Sequence, residues 1–349
     1  MLTRNAVVFS PHPVALNVCG EAVDELHELG IRFGAPANWI QMQRTPTLAA
    51  TDAMMRHELT DLIVATGGTP MVRSAYRSGN PTIGVGSGNT PIYVDSTANT
   101  AAAGAQIIDG KHFDFGSACT SPSVALVHQN VLKPTLQAMA DSGAHICTPQ
   151  QSQAVAGHVY PNGGFNPKVV GRSPHTIAKG AGFDVPQDCR TLVCAFQPSP
   201  EHVMFKEKLS PVLGLVCVQG IDDAIDMARY MLKRGGAGHT SGIHSTCERQ
   251  AVYWAGALDY YRVVVNGITT NGATGTDTGL PYTFTVGTGY AGKSSMGVNM
   301  GAEPWIDYKR VAFPLSQSEG TGRGSVTDLS GASVRQIIRE EIAAMQEQR

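Results

Sequence analysis

The segment FDFGSACTSPS (Phe113 to Ser123) sets Cys119 among small residues just ahead of a β-rich run. Small neighbours let a thiol approach a flat carbonyl and let backbone N–H groups point at the oxyanion that forms. Such a thiol can do covalent acyl chemistry, although a cysteine that only packs has the same local signature. A second signal is LIVATGG (Leu62 to Gly68), where a strand runs through Thr66 into Gly67 and Gly68 ahead of a helix. Paired glycines admit close approach of a pyrophosphate, and the helix start offers free N–H groups; a plain strand-to-helix turn reads the same way. GVGSGN (Gly84 to Asn89) leads into the strand PIYVD, not a helix, and so is not a dinucleotide fingerprint. His239, after the glycine turn GGAG, could assist proton transfer or meet phosphates, or serve as a structural histidine.

The elements that must position these residues alternate in an α/β pattern. Asn5 to Phe9 reads as a buried strand, followed by a helix over 14 to 29 that Gly30 ends. A strand near Trp39 to Met42, a helix over 46 to 57, a strand over Asp61 to Ala65 and a helix reaching Ser78 follow, then strands over Thr82 to Val85 and Pro91 to Val94. From about residue 110 the alternation restarts, with a strand at Val124 to Val127, helices near 130 to 142 and 173 to 181, and strands near 191 and 212. The clearest helix is 221 to 234: Ile221, Ala224, Ile225, Ala228, Met231 and Leu232 form its apolar stripe, with Asp222 and Asp223 at one end, Lys233 and Arg234 at the other, and Gly235 beyond. The Gly/Thr-rich stretch Asn266 to Leu280 lacks either period and reads as an ordered loop over a site or as a surface connection.

Composition sets the bounds. With 349 residues, 42% hydrophobic, the chain can bury one large core or two smaller ones. A charged fraction of 15% and 39 glycines fit buried parallel strands joined by tight turns. Twenty-six basic against 28 acidic residues give no excess for nucleic acid or a membrane surface. No apolar run reaches membrane-spanning length, and the seven cysteines show neither CxxC pairing nor ligand spacing, so reduced thiols, no metal site and a cytoplasmic location are expected.

Taken in order, TRNAVVFSPHP, ATGGTPMV, GVGSGNTP, FDFGSACTS, EKLSPVL, GGAGHT and NMGAEPWIDYKRVAFP resemble blocks of the CoA-acylating branch of the aldehyde dehydrogenase superfamily. The resemblance spans nearly the whole chain. It implies two Rossmann-like α/β domains: an incomplete cofactor domain over 1–105, a catalytic domain over 106–285, and a return segment over 286–349. That segment would carry an oligomerisation strand (Tyr308 to Phe313) and a terminal helix near 331 to 347. Cys119 falls on the catalytic thiol. Ser10 and His12 fall where the superfamily holds the adenosine ribose, and Thr66, Gly67 and Gly68 where it packs the pyrophosphate. Glu207 matches the carboxylate on the nicotinamide-side ribose, and Leu209 the side chain near that ring. For Glu207 the residues alone favour a surface carboxylate beside Lys206 or Lys208.

The resemblance further implies NAD or NADP, CoA as co-substrate, a small aldehyde or acyl-CoA as substrate, and a homo-oligomer, dimer or tetramer. Hydrolytic relatives carry a general-base glutamate where this chain has Gly84, and a thiol acceptor needs less help than water, so CoA is the expected acceptor. A hydrolytic enzyme, or an impaired subunit with a binding or assembly role, are the alternatives. Departures from the pattern are Phe115 where asparagine is usual, a shorter TSPS stretch carrying Pro122, and GTGYAG (Gly287 to Gly292) in place of a Cys-Gly-Thr-Trp block. Met1 aligns inside the pattern, so a preceding stretch with the first βα unit and an oxyanion-binding asparagine is expected to be missing. Its loss would leave an open sheet edge, exposed apolar surface and weak activity.

Overall fold

A computed structural model of the chain describes residues 3–312. The body up to Trp305 forms one compact unit. It opens with β1 (Val7–Phe9), α1 (Leu16–Arg32), β2 (Ile40–Met42), α2 (Leu48–Met55), β3 (Ile63–Thr66), α3 (Thr69–Tyr76) and β4 (Thr82–Val85). These strands form two separate parallel pairs, β1 with β2 and β3 with β4. β1 is not the buried strand that its apolar run suggested: Val7, Val8 and Phe9 are all exposed. A run of apolar residues specifies a strand, but whether it is covered depends on what packs on it.

The main sheet has seven parallel strands in the order β11-β10-β5-β6-β9-β8-β7. Its elements are β5 (Thr90–Val94), α4 (Thr100–His112), β6 (Pro122–His128), α5 (Leu132–Asp141), β7 (Ala144–Ile146), α6 (Pro149–Val159), α7 (Pro174–Gly180), β8 (Thr191–Ala195), β9 (Val212–Val218), α8 (Ile221–Arg234), β10 (Thr240–His244), α9 (Glu248–Ala257), β11 (Arg262–Val265) and the single turn α10 (Thr269–Gly272). Alternate residues of each strand supply opposite faces. Tyr93, Leu126, Val216 and Ile243 pack with Ala224, Ala228 and Met231 of α8 and with Trp254 of α9. Ile92, Val94, Ala125 and Val127 pack with Ile107 and Ile108 of α4 and Met139 of α5 on the other face.

The change of sheet falls between Val85 and Thr90. β4 pairs with β3, whereas β5 is central in the seven-stranded sheet between β6 and β10. β4 and β5 lie close in sequence, so local pattern gives no sign that the chain passes from one sheet to another. Residues 308–312 carry no strand, and the rest of the expected oligomerisation strand and terminal helix lies outside the described residues.

Candidate active site

In an all-parallel sheet every strand begins on the same edge. Here that edge collects the chemistry: Gly88 just precedes β5, Cys119 β6, Glu207 β9 and His239 β10, while Arg262 opens β11. These five strands are consecutive neighbours, β11-β10-β5-β6-β9. Residues far apart in sequence are thereby set side by side along one rim.

Cys119 is half-buried and is reached through an unusual turn. Asp114, Phe115 and Gly116 are all left-handed, with φ of 48°, 46° and 69°. Glycine adopts this region freely; a phenylalanine there costs about 1–2 kcal/mol. A side chain on Gly116 would in addition run into Ser210, whose carbonyl carbon would lie 2.6 Å from its Cβ. The turn presses the segment before Cys119 against the segment that follows Glu207. The N–H groups of Cys119 and Thr120 face the sulfur and lower its pKa, as does the charge of Arg262. Burial is the larger effect and, with the Glu207 charge next, raises the thiol to about 11.

Beside the sulfur lies a cavity of about 540 Å³. Phe113, Ala118, Phe284 and Val286 give it apolar walls; Thr120, Thr270 and Thr274 add hydroxyls and Asp114 a carboxylate. Thr270 and Thr274 come from the Gly/Thr-rich stretch, which is ordered: Thr269, Thr270 and Thr274 are buried, and the Thr274 hydroxyl bonds the Thr270 carbonyl at 2.9 Å.

Away from this cavity, Glu207 is not the surface carboxylate its lysine neighbours suggested. Burial lifts it to about 7, against the opposing pull of Lys111, the Gly88 N–H and Lys208. Lys111, 2% exposed on the last turn of α4, is lowered to about 7 by burial, with Glu207 acting the other way. Lys208 instead gives its ammonium to the Ser123 carbonyl and hydroxyl (3.1 and 3.0 Å) and the Lys206 carbonyl (3.0 Å). Leu209 is left-handed at φ 47°.

His239 is fully buried; its Nδ1 meets the Thr240 hydroxyl at 3.0 Å and its Nε2 has no partner among the described residues. Desolvation and the neighbouring Arg262 hold it neutral down to about pH 3. It therefore touches no solvent-borne phosphate in this arrangement. Arg262 is 3% exposed and bonds the carbonyls of Gly238, Gly287 and Gly297, tying three turns together with no carboxylate partner among the described residues. Sequence reasoning missed Lys111 and Arg262. Each is a basic residue in a largely apolar element, and only the tertiary fold gives it its neighbours.

The expected cofactor residues fall on the other strand pairs. Ser10 follows β1, its hydroxyl bonding Gln43 (2.7 Å) and Thr51 (2.8 Å). His12 is exposed and accepts the Val14 N–H through Nδ1 at 3.3 Å. Thr66 ends β3, and Gly67 and Gly68 lead into α3. Side chains there would meet only Met71 and Pro70 at about 3.8 Å or beyond, so the turn has open space that a phosphate-bearing group fits. Gly84 is closed instead: a Cβ would stand 2.5 Å from Val72 and 2.7 Å from Tyr76. A glutamate cannot be placed there without repacking α3.

The sequence profile of the aldehyde dehydrogenase family matches residues 1–157. The bifunctional aldehyde-alcohol dehydrogenase AdhE of Escherichia coli (strain K12) is 34% identical over 316 residues, covering 89% of this chain and 36% of its own. The succinate-semialdehyde dehydrogenase (acetylating) of Clostridium kluyveri is 32% identical over 314 residues, covering 89% of this chain and 68% of its own. Among solved structures, an acetylating aldehyde dehydrogenase from Geobacillus thermoglucosidasius superposes with a TM-score of 0.87 at 37% identity, over 91% of this chain and 70% of that one. The chain belongs to the aldehyde dehydrogenase family, within its CoA-acylating branch. It spans about a third of the length of the bifunctional relatives it matches.

Proposed function

We propose that this chain oxidises a small aldehyde to its acyl-CoA, reversibly, through a thioester on Cys119. The observation that carries this reading is the half-buried Cys119 sulfur at the edge of a cavity, with two backbone N–H groups facing it. The thiolate adds to the aldehyde carbonyl, and the Cys119 and Thr120 N–H groups stabilise the oxyanion. A nicotinamide cofactor, NAD or NADP, accepts the hydride when bound. Thr66, Gly67 and Gly68 would hold its pyrophosphate, Ser10 and His12 its adenosine side, and Glu207 and Leu209 its nicotinamide side.

The CoA thiolate then takes the acyl group and Cys119 leaves as thiolate. Gly84, hemmed in by Val72 and Tyr76, supports CoA over water, since it leaves no base at this position to activate water. His239, neutral and weakly basic, contributes as a hydrogen-bond acceptor and not as a proton store. The word acetylating in the names of the Clostridium and Geobacillus relatives agrees with this acceptor.

We also place the enzyme in the cytoplasm as a homo-oligomer, dimer or tetramer. Its seven free thiols support the first, and the exposed apolar residues of β1 and α1 the second. No helix among the described residues is long and apolar enough to cross a membrane. Cys119→Ala tests the proposal: acyl-CoA-dependent oxidation of NAD(P)H should vanish. Unchanged turnover would overturn it, and turnover equal with and without CoA would favour hydrolysis.

A further inference from the structure

Among the described residues, no cationic side chain lines the cavity beside Cys119, and its one charged group is the Asp114 carboxylate. We infer that the site takes uncharged aldehydes and rejects those carrying a carboxylate or sulfonate; this rests on the function proposed above for the same site. An anion drawn into a partly desolvated pocket needs a counter-charge or a full set of donors. Two buried cations of the rim do not supply one. Arg262 is committed to the carbonyls of Gly238, Gly287 and Gly297, and neither it nor Lys111, whose charge acts on Glu207, is in the wall. The Thr274 hydroxyl is turned back to the Thr270 and Asn271 carbonyls, at 2.9 and 3.0 Å. Besides the Thr120 hydroxyl and that of Thr270, which donates to Asn271 Oδ1 at 3.4 Å, what remains is aromatic and aliphatic surface, from Phe113, Phe284 and Val286, suited to a short alkyl chain.

Charge at this wall can be read without turnover, by alkylating Cys119 with neutral iodoacetamide and anionic iodoacetate and mapping the modified peptide. The ratio of the two rates at Cys119 should exceed the same ratio for a free small thiol by at least about tenfold. Asp114→Asn, which keeps a residue tolerant of the left-handed backbone, should shrink that excess. Phe284→Arg, at a side chain 66% exposed, should shrink it further or reverse it. A ratio equal to or below that of the free thiol overturns the inference.

The second arm is turnover with three aldehydes of the same backbone: butanal, succinic semialdehyde and its methyl ester. Butanal and the ester should be used with kcat/KM at least about tenfold above the acid. Preference for the acid, or no difference, contradicts the inference. Should the alkylation ratio hold while none of the three is oxidised, the cavity assignment stands and the proposed reaction fails.

Discussion

The α-carbon of Gly88 lies so close to the Cys119 carbonyl that a side chain at position 88 would overlap its oxygen, with the carbonyl carbon 2.7 Å from the added Cβ. This glycine belongs to the GVGSGN turn, and its service is close packing of the segment before β5 on the segment before β6. Gly88→Ala must push the Cys119 backbone aside. A shift of about 1 Å at a reacting centre costs roughly a hundredfold in rate. We predict a loss of that order in kcat/KM with a circular dichroism spectrum like that of the unmodified protein; full activity would show that the contact is slack.

The Glu207 charge acts on the thiol, and Lys111 acts on Glu207. Because the carboxylate raises the Cys119 pKa, Glu207→Gln should lower it and speed alkylation at pH 8 by roughly threefold to tenfold. Lys111→Met removes a charge that favours the ionised form of Glu207, so more of the carboxyl should be protonated and alkylation should speed. In the double variant the Lys111 effect should largely disappear, since it acts through the carboxylate. Rate profiles of iodoacetamide inactivation against pH read all three, and identical profiles would show that Glu207 does not act on the sulfur.

Phe115 is held left-handed at φ 46°, with its ring 6.0 Å from that of His112 and 41% exposed. Asparagine tolerates this backbone far better, and the surface contact given up is small. Phe115→Asn should stabilise the protein by about 1 kcal/mol, raising Tm by roughly 2–4 °C. A fall in Tm would mean that the ring packs more tightly than its exposure suggests.

Acid should weaken the fold in a defined window. His239 and His244 are buried and neutral, lowered by desolvation from 6.5 to about 3 and about 4. The unfolded chain takes up those protons first, so stability falls as pH drops below about 6.5. Glu207 works in the opposite sense, since its folded pKa is raised from 4.5 to about 7 and the folded form binds its proton first. The buried bases outweigh the single carboxyl, so stability should fall as pH drops from 6.5 to 4.5. Urea titrations across this range check it; stability that holds or rises towards pH 4.5 would contradict it. His244→Gln should flatten the slope.

Features written in local pattern were legible in the sequence. α8 spans 221 to 234 as read, since its apolar stripe, end charges and terminal Gly235 all act within a few residues. β4 likewise occupies Thr82 to Val85. Pairing is not local: nothing in PIYVD says that it joins β6 and β10 instead of β4. The same limit hid Arg262, which meets Gly238, Gly287 and Gly297 only because β11 lies next to β10. Cys119 stood out from the other thiols through the family resemblance, while its neighbours Gly88 and Glu207 gained their meaning from the common edge on which parallel strands begin.

The central claim is an acyl group held on one sulfur, and mass spectrometry of the enzyme quenched after incubation with isotopically labelled acyl-CoA, without NAD(P)H, reads it directly. The account predicts a labelled acyl adduct on the peptide containing Cys119, removed by free CoA and absent in Cys119→Ala. Label on a different cysteine, or none on any peptide while turnover proceeds once NAD(P)H is supplied, would contradict it.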